Sequence, residues 1–546
     1  MFIDCSRRPD RGLSVSATQH DKLLDELKPK DLERGSPVAA CMDGTRQDVL
    51  ASIDKWANDF NAPNILWLKG FPGSGKSAVA STMVDKLRRS HRLGSSFFFE
   101  RANASRTTTS ALWRTVAFNP TRQYLAFRNA AIDKLNEDEV DPNASNVNIL
   151  FRHLIEEPLK MCIDIPPGRL PVVVVDALDE CGGLDGHWSS NRKSLLHTVK
   201  RWLSLPSRFK LIVTSRGEAD IIRVLSPISH CIELSSGRTV SSQTSGDIHR
   251  FLTHQLSDIA SGYPDSLSPE WPGSAIIEEL TGRATGLFVW AKTLVEFVHL
   301  GEPQEQLLQI RKRDVGYGDM AVLYTRILET SFKHPSANLA HWFRAVAGTI
   351  IMAKIPLSRK DFIHLLAVEP LSMLDTILMG LRSVMDNGDI LRFSHQSFVD
   401  FLVDSESCPP MFLINEAIQN QDLILASLQV MKIGLRFNIC QLESSHVHNK
   451  DVPDLGSHVE KEIPAYLSYS CCFWADHLQA TAFEPKILEA VQVLLHTQLL
   501  YWLEVLSLIK KMNIASQALL FTVNWLRVRL HLALRRCRLD IYLPGP

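Results

Sequence analysis

The chain has 546 residues, 45% of them hydrophobic and 22% charged, with a formal net charge of −1. That length exceeds what one hydrophobic core organises and points to several domains, while the balanced charge supplies no global attraction to nucleic acid or an anionic membrane. Ten cysteines lie scattered without a C-x-x-C pair, which argues against a zinc ribbon or a disulfide framework and fits a reducing, intracellular compartment.

Taken in chain order, residues 1–36 read as a partly flexible segment too short for an effector domain. Their start, "MFIDCSRRPDRGLSVSATQHDKLL", lacks the apolar stretch of a secretory signal, and no window reaches 18 uninterrupted apolar residues. A cytoplasmic or nuclear protein without a membrane span is expected, cytoplasmic by preference. The next legible element is "NILWL" (Asn64 to Leu68), an apolar run of strand length. It leads into "GFPGSGKS", a match to G-x-x-x-x-G-K-[ST] with Gly70, Gly75, Lys76 and Ser77 in the fixed places. Beyond it Ala78, Val79, Met83, Val84 and Leu87 recur at helical spacing, Lys86, Arg88 and Arg89 crowd the last turn, and Gly94 marks the stop. Strand, glycine loop and helix in that order describe a phosphate cradle. The amides of Gly73, Ser74, Gly75, Lys76 and Ser77 can converge on phosphate oxygens at the positive end of the helix. Lys76 reaches the terminal phosphates and the Ser77 hydroxyl can ligate Mg²⁺.

Four further strands are expected at "GSSFFFE" (Gly94 to Glu100), "VVVV" (Val172 to Val175), "FKLIVTSR" (Phe209 to Arg216) and "HCIELSS" (His230 to Ser236). Val172 to Val175 is apolar at every position, as a central parallel strand covered on both faces should be. Asp176 then stands at its carboxyl end, where the ligand crevice of an open α/β sheet lies, and is the natural second anchor for Mg²⁺. Asp179 and Glu180 follow closely enough to orient an attacking water or the metal's water shell. Arg216, at the tip of the fourth strand, either senses a γ-phosphate or simply leaves the strand as a Ser-Arg pair. No guanine-reading N-K-x-D occurs, which favours adenine and hence ATP or ADP with Mg²⁺.

"GFPGSGKS", "VVVVDALDE", "KLIVTSR" and "ATGLFVWA" together resemble the NACHT domain of the STAND class of P-loop NTPases, in the form found in fungal NACHT proteins related to the nephrocystin-like N-terminal domain. "CMDGTRQDVLASIDKW" (Cys41 to Trp56) resembles that family's entry segment. The resemblance implies that Arg46 lies near the adenine, that Lys76 and Ser77 bind the phosphates and Mg²⁺, and that Asp176 holds the metal. It also implies that Asp179 and Glu180 assist hydrolysis and that Arg216 is a sensor. Where relatives often carry Gly-x-Pro, this chain has Gly286-Leu287-Phe288.

The fold expected is α/β: a P-loop NTPase core with a five-stranded parallel sheet, followed by a helical bundle, a winged-helix domain and a C-terminal helical region. The corresponding boundaries are 37–238, 239–333, 334–408 and 409–546. Asn387-Gly388 between two short apolar runs signals a hairpin, and helix-like stretches beginning near Ser358 and Glu369 precede it. The candidate recognition helix carries a single arginine, which disfavours DNA as partner. In STAND proteins a histidine near the end of the winged helix reaches back to the nucleotide; the resemblance gives His395 that latch, against the alternative of a half-buried packing histidine. In the last region Cys471, Cys472, Asp476 and His477 suggest a metal site, yet adjacent cysteines face different sides of a helix, which favours a core. His446 and His448 are an equally thin pair. Interleaved Arg527, Arg529, Arg535, Arg536 and Arg538 suggest a membrane-surface or partner helix, or a packed terminal one. No 20–50-residue repeat is visible, so sensor repeats are absent from this reading. The function expected is a slowly hydrolysing ATP switch that self-associates in its ATP state, with protein partners unspecified. The alternatives are an ATP-driven remodelling motor and a scaffold that binds nucleotide only to stay folded.

Overall fold

The computed structural model describes residues 24, 27–28, 39–100, 109–136, 146–162, 171–181, 190–206, 208–237, 240–311, 320–333, 335–367, 371–386, 388–444 and 447–540, the last 13 of these as backbone only. Asn387, His446, the side chains of Arg529, Arg535, Arg536 and Arg538, and most of the expected N-terminal segment lie outside the described residues. Two compact units divide the chain, residues 1–320 and 321–546.

In the first unit five strands run parallel: β1 (Ile65–Gly70), β2 (Leu93–Phe98), β3 (Val172–Asp176), β4 (Lys210–Ser215) and β5 (His230–Leu234), in the order β2-β3-β4-β1-β5. All five expected strands are therefore present. Helices α1 (Gln47–Asn58), α2 (Lys76–Arg89), α3 (Thr109–Gln123), α4 (Leu125–Asn136), α5 (Val147–Phe151) and α6 (Glu157–Met161) surround them, with α7 (Ser190–Arg201) and α8 (Ala219–Leu225) following β3 and β4. Alternate side chains of a strand point to opposite faces, and the cores obey this. Leu66, Leu68, Val172, Val174 and Ile212 pack with Ile53, Trp56, Met83 and Val84 on one face. Ile65, Trp67, Val173, Val175, Leu211 and Val213 pack with Trp113, Phe151 and Trp202 on the other. Burial on both faces is why Val172 to Val175 reads as an unbroken apolar run.

The register aligns the carboxyl ends of the three central strands. Lys69 pairs with Ser215 and Val175 with Val213, so Gly70, Asp176 and Arg216 leave the sheet at one edge. Four helices complete the unit: α9 (Ser242–Ser261), α10 (Ser274–Ala284), α11 (Phe288–His299) and α12 (Pro303–Arg311). Ser241 caps α9 by accepting from Thr244 N–H at 3.1 Å.

The second unit is helical, with α13 (Met320–Ser331), α14 (Ala337–Met352), α15 (Arg359–Leu366), α16 (Leu371–Leu381), α17 (Gln396–Val403), α18 (Glu416–Gly434), α19 (Leu455–Glu462), α20 (Ala465–Gln479), α21 (Pro485–Val493), α22 (Leu499–Leu508) and α23 (Asn513–Asp540). Two short strands, β6 (Leu357–Ser358) and β7 (Ile390–Leu391), pair antiparallel, and Met385 bridges Phe393 across the expected hairpin. Among the described residues one run, Pro485–Leu508, is long and apolar enough by composition to cross a membrane. It is broken by a π turn at Leu494–Gln498, and Ile487, Val491, Trp502, Val505 and Leu506 belong to this unit's core.

At Cys471, Cys472, Asp476 and His477 the favoured core arrangement is what the structure has: the two cysteines and the histidine are buried, Asp476 is half-buried, and no cluster of three or more ligating residues occurs among the described residues. His477 is fully buried and lies 2.9 Å from Tyr469 Oη and 2.8 Å from Asn420 Oδ1. Tyr469 Oη in turn accepts from Lys354 N–H at 3.2 Å, so it donates to His477 Nε2, and the ring's Nδ1–H donates to Asn420. Burial pushes this imidazole's pKa down to about 3, which keeps it neutral.

Candidate functional site

The loop between β1 and α2 takes its shape from glycines that no other residue replaces without strain. Gly73 has φ 78° and Gly75 φ 92°, both left-handed. A Cβ at Gly70 would stand 2.6 Å from Ser74 Oγ. Gly75 caps α2, so the first N–H groups of that helix turn toward the loop. Lys76 Nζ donates to the carbonyls of Gly70 at 3.0 Å and Phe71 at 2.9 Å, which sets the ammonium inside the loop. Burial lowers the Lys76 pKa, opposed by the charges of Asp179 and Asp176.

Asp176 faces this loop from the end of β3. It is buried and accepts hydrogen bonds from the Thr214 hydroxyl and from Ser77. Burial raises its carboxyl above the ordinary range against the pull of those two donors and of Lys76. The next residue, Ala177, is left-handed at φ 53°, ψ 48°, an uncommon conformation for a residue with a Cβ and one that clusters at functional turns. Its N–H donates to Thr214 Oγ1 at 3.0 Å. Thr214 therefore joins the tips of β3 and β4, a role no local pattern announced.

The turn Leu178–Glu180 carries the two further acids. Asp179 is buried, accepts from Arg216 N–H at 2.9 Å and pairs with Arg216 Nε at 3.1 Å. Glu180 is half-buried on the same turn, and its charge, like those of Asp176, Asp179 and Arg216, acts on Lys76. Gly70, Gly73, Ser74, Gly75, Lys76, Ser77, Asp176, Asp179, Glu180 and Arg216 are thus gathered at one edge of the sheet.

Arg46, expected beside the adenine, is 3% exposed and engages protein groups. Its Nη1 donates to Thr244 Oγ1 at 2.9 Å and its Nη2 to the Ser74 carbonyl at 2.7 Å, its backbone N–H donates to Asp247 Oδ2 at 3.0 Å, and its guanidinium lies 4.9 Å from the Phe288 ring centre. A second link joins α11 to the loop, since Val289 N–H donates to the Gly73 carbonyl at 3.1 Å. Gly286, with φ 86°, makes the close approach possible: a Cβ there would stand 2.9 Å from the Ser235 carbonyl. The helical segment that follows the sheet therefore holds one carbonyl of the phosphate loop directly, and anchors through Thr244 and Asp247 the Arg46 that holds a second.

His395 lies in the second unit, where it caps α17. Its Nδ1 accepts from Ser397 N–H at 3.0 Å and sits 2.7 Å from Ser397 Oγ, which itself lies 2.7 Å from Tyr324 Oη.

The residues at the sheet edge fit a nucleotide polyphosphate with Mg²⁺. Unpaired amides at a helix N-terminus and glycines that allow close approach suit phosphate. A buried carboxylate beside a serine hydroxyl is a hard oxygen donor pair suited to Mg²⁺. Five parallel strands, this loop and that acidic strand end define the fold of the P-loop NTPases.

Residues 44–216 match the sequence profile of the family described as Nephrocystin 3, N-terminal. The match covers the segment whose motifs resemble a NACHT-type domain. The chain is 25% identical over 537 residues to the vegetative incompatibility protein HET-E-1 of Podospora anserina, covering 91% of this chain and 36% of that protein. It thus spans about a third of that relative's length. Among solved structures, a STAND protein with a tetratricopeptide repeat sensor from Pyrococcus horikoshii aligns with TM-score 0.42 and 12% identity, covering 92% of this chain and 66% of that one. A Walker-type ATPase of Pyrococcus abyssi aligns with TM-score 0.33 and 13% identity, covering 68% and 98%.

Proposed function

We propose that this chain is an ATP-dependent molecular switch of intracellular signalling, with slow hydrolysis as its timer. The observation that carries this is the pairing of Ser77, at the head of α2, with buried Asp176, at the end of β3. It closes a hard-oxygen site beside amides and an ammonium suited to phosphate. The amides of Gly73 to Ser77 and the Lys76 ammonium bind the phosphates, and Gly70 lets the loop fold tightly. Ser77 and Asp176 hold Mg²⁺, which when bound offsets the phosphate charge. Glu180 orients the attacking water, while Asp179 holds Arg216, the phosphate sensor. Arg46 keeps the loop against α9 and α11, where the base is expected. Residues 334–408 act as a winged helix whose His395 latches the ADP state, and exchange for ATP releases it for self-association. An incompatibility-like signalling role draws support from the name of the Podospora relative, and the cytoplasm is its proposed compartment.

The test is the nucleotide that copurifies and the mass in solution before and after exchange. Bound ADP with a monomer, converting to a larger species with ATP, is expected. Fast turnover stimulated by a polymer would instead establish a motor, and binding without any hydrolysis a scaffold.

A further inference from the structure

Arg192, at the head of α7, plays no part in the nucleotide site described above, yet its side chain is 1% exposed and reaches both loops that carry the acids and the sensor. Its Nη1 donates to the Asp179 carbonyl at 2.7 Å. Its Nε donates to Asp220 Oδ2 at 2.8 Å and its Nη2 to Asp220 Oδ1 at 3.1 Å, a two-point fork. The Nη2 group also pairs with Glu218. Asp220 lies in the first turn of α8 and Glu218 at its N-cap, two residues after Arg216. The Asp179 carboxylate then takes the Arg216 backbone N–H and guanidinium. A closed circuit results: Arg192 to the Asp179 backbone, Asp179 to Arg216, and along the chain through Glu218 and Asp220 back to Arg192.

We propose that Arg192 is a positioning residue for nucleotide hydrolysis, a single guanidinium that sets the separation between the Asp179–Glu180 turn and Arg216 without touching nucleotide. The inference rests on the hydrolysis assigned under Proposed function. A planar five-donor fork can bind a carbonyl and a carboxylate on two loops at once, whereas an ammonium is a single point that cannot hold both in register. A displacement of about 1 Å between groups that act together costs on the order of a hundredfold in rate. The phosphate loop is not part of the circuit, so affinity is expected to survive.

The full chain is compared with Arg192→Lys and Asp220→Asn. Mg²⁺-ATP affinity, single-turnover hydrolysis and thermal midpoint are read for each. Arg192→Lys is expected to keep ATP affinity within about threefold while hydrolysis falls about tenfold to a hundredfold. Combined with Glu180→Gln it should add little further loss, because both act on one step. Asp220→Asn keeps the side-chain shape and carries the same test should Arg192→Lys fail to fold; its rate is expected to fall less. Parental hydrolysis in a folded Arg192→Lys or Asp220→Asn variant overturns the proposal alone, as does a rate loss that merely follows lost affinity. A parent chain that binds ATP and never turns it over overturns the hydrolysis reading, visible before any variant is made, and this proposal with it.

Discussion

In the first unit Asp176, Asp179 and Arg46 are buried around a loop whose buried Ser74 Oγ has no hydrogen-bond partner among the described residues. In the second unit the buried Tyr469, His477 and Asn420 pass hydrogen bonds from Lys354 N–H to one another, and Asn420 ends the chain on the Glu416 carbonyl at 2.9 Å. Both arrangements place polar atoms out of water, which is costly unless partners compensate. The second is complete within the protein, and its role is to specify how α14, α18 and α20 meet. The first holds a carboxyl raised by burial near the Lys76 ammonium, whose own pKa burial lowers, the kind of perturbed pair that marks a candidate site for a charged ligand. The cysteine-histidine cluster that looks chemical in sequence is packed into a core, and a plain "VVVVD" ends in a buried carboxyl whose pKa is raised.

Breaking the closed network should have the largest effect. His477→Ala leaves Tyr469 Oη and Asn420 Oδ1 buried without their partner and opens a cavity, so unfolding in urea should show a loss of about 2–5 kcal/mol. The same histidine sharpens the comparison through pH. Its folded pKa of about 3 lies below the ordinary 6.5, so the unfolded chain binds the proton first as pH falls from 6.5. Stability should therefore drop toward acid with a slope approaching about 1.4 kcal/mol per pH unit between these values. His477→Gln should flatten that limb in a urea series across pH.

The open site should respond in affinity instead of stability. Lys76→Ala removes charge-assisted contacts worth about 1.5–3 kcal/mol, hence about tenfold to a hundredfold in nucleotide affinity by equilibrium titration. The smallest effect is expected at Ala177. Its left-handed backbone stores about 1 kcal/mol of strain, so Ala177→Gly should hold or slightly raise the thermal midpoint.

Much of the first unit was legible because its signals are local. Gly70 to Ser77 is one contiguous pattern between a strand and a helix, and Val172 to Asp176 shows its burial residue by residue. Gly286-Leu287-Phe288 was read by its likeness to Gly-x-Pro, and the contact the structure shows beside it is Val289 N–H on the Gly73 carbonyl. The partners of Arg46, Thr244 and Asp247, stand about 200 residues away on α9, and nothing in their neighbourhood announces them. Arg192 was missed for the same reason, since it joins two loops that meet only after the sheet has formed, and Thr214, legible as a polar strand tip, gave no sign of its bonds to Asp176 and Ala177. The core reading favoured for Cys471 to His477 agrees with helix geometry, since Cys471, Cys472 and His477 lie on the buried part of α20.

The most direct measurement of the central claim is the Mg²⁺ dependence of ATP binding, taken by equilibrium titration on the parent chain and on Asp176→Asn. Magnesium should tighten ATP binding to the parent, and that enhancement should vanish in Asp176→Asn while the variant stays folded. An identical magnesium enhancement in both, or none in the parent, would contradict a site in which Ser77 and Asp176 hold the metal against the phosphates.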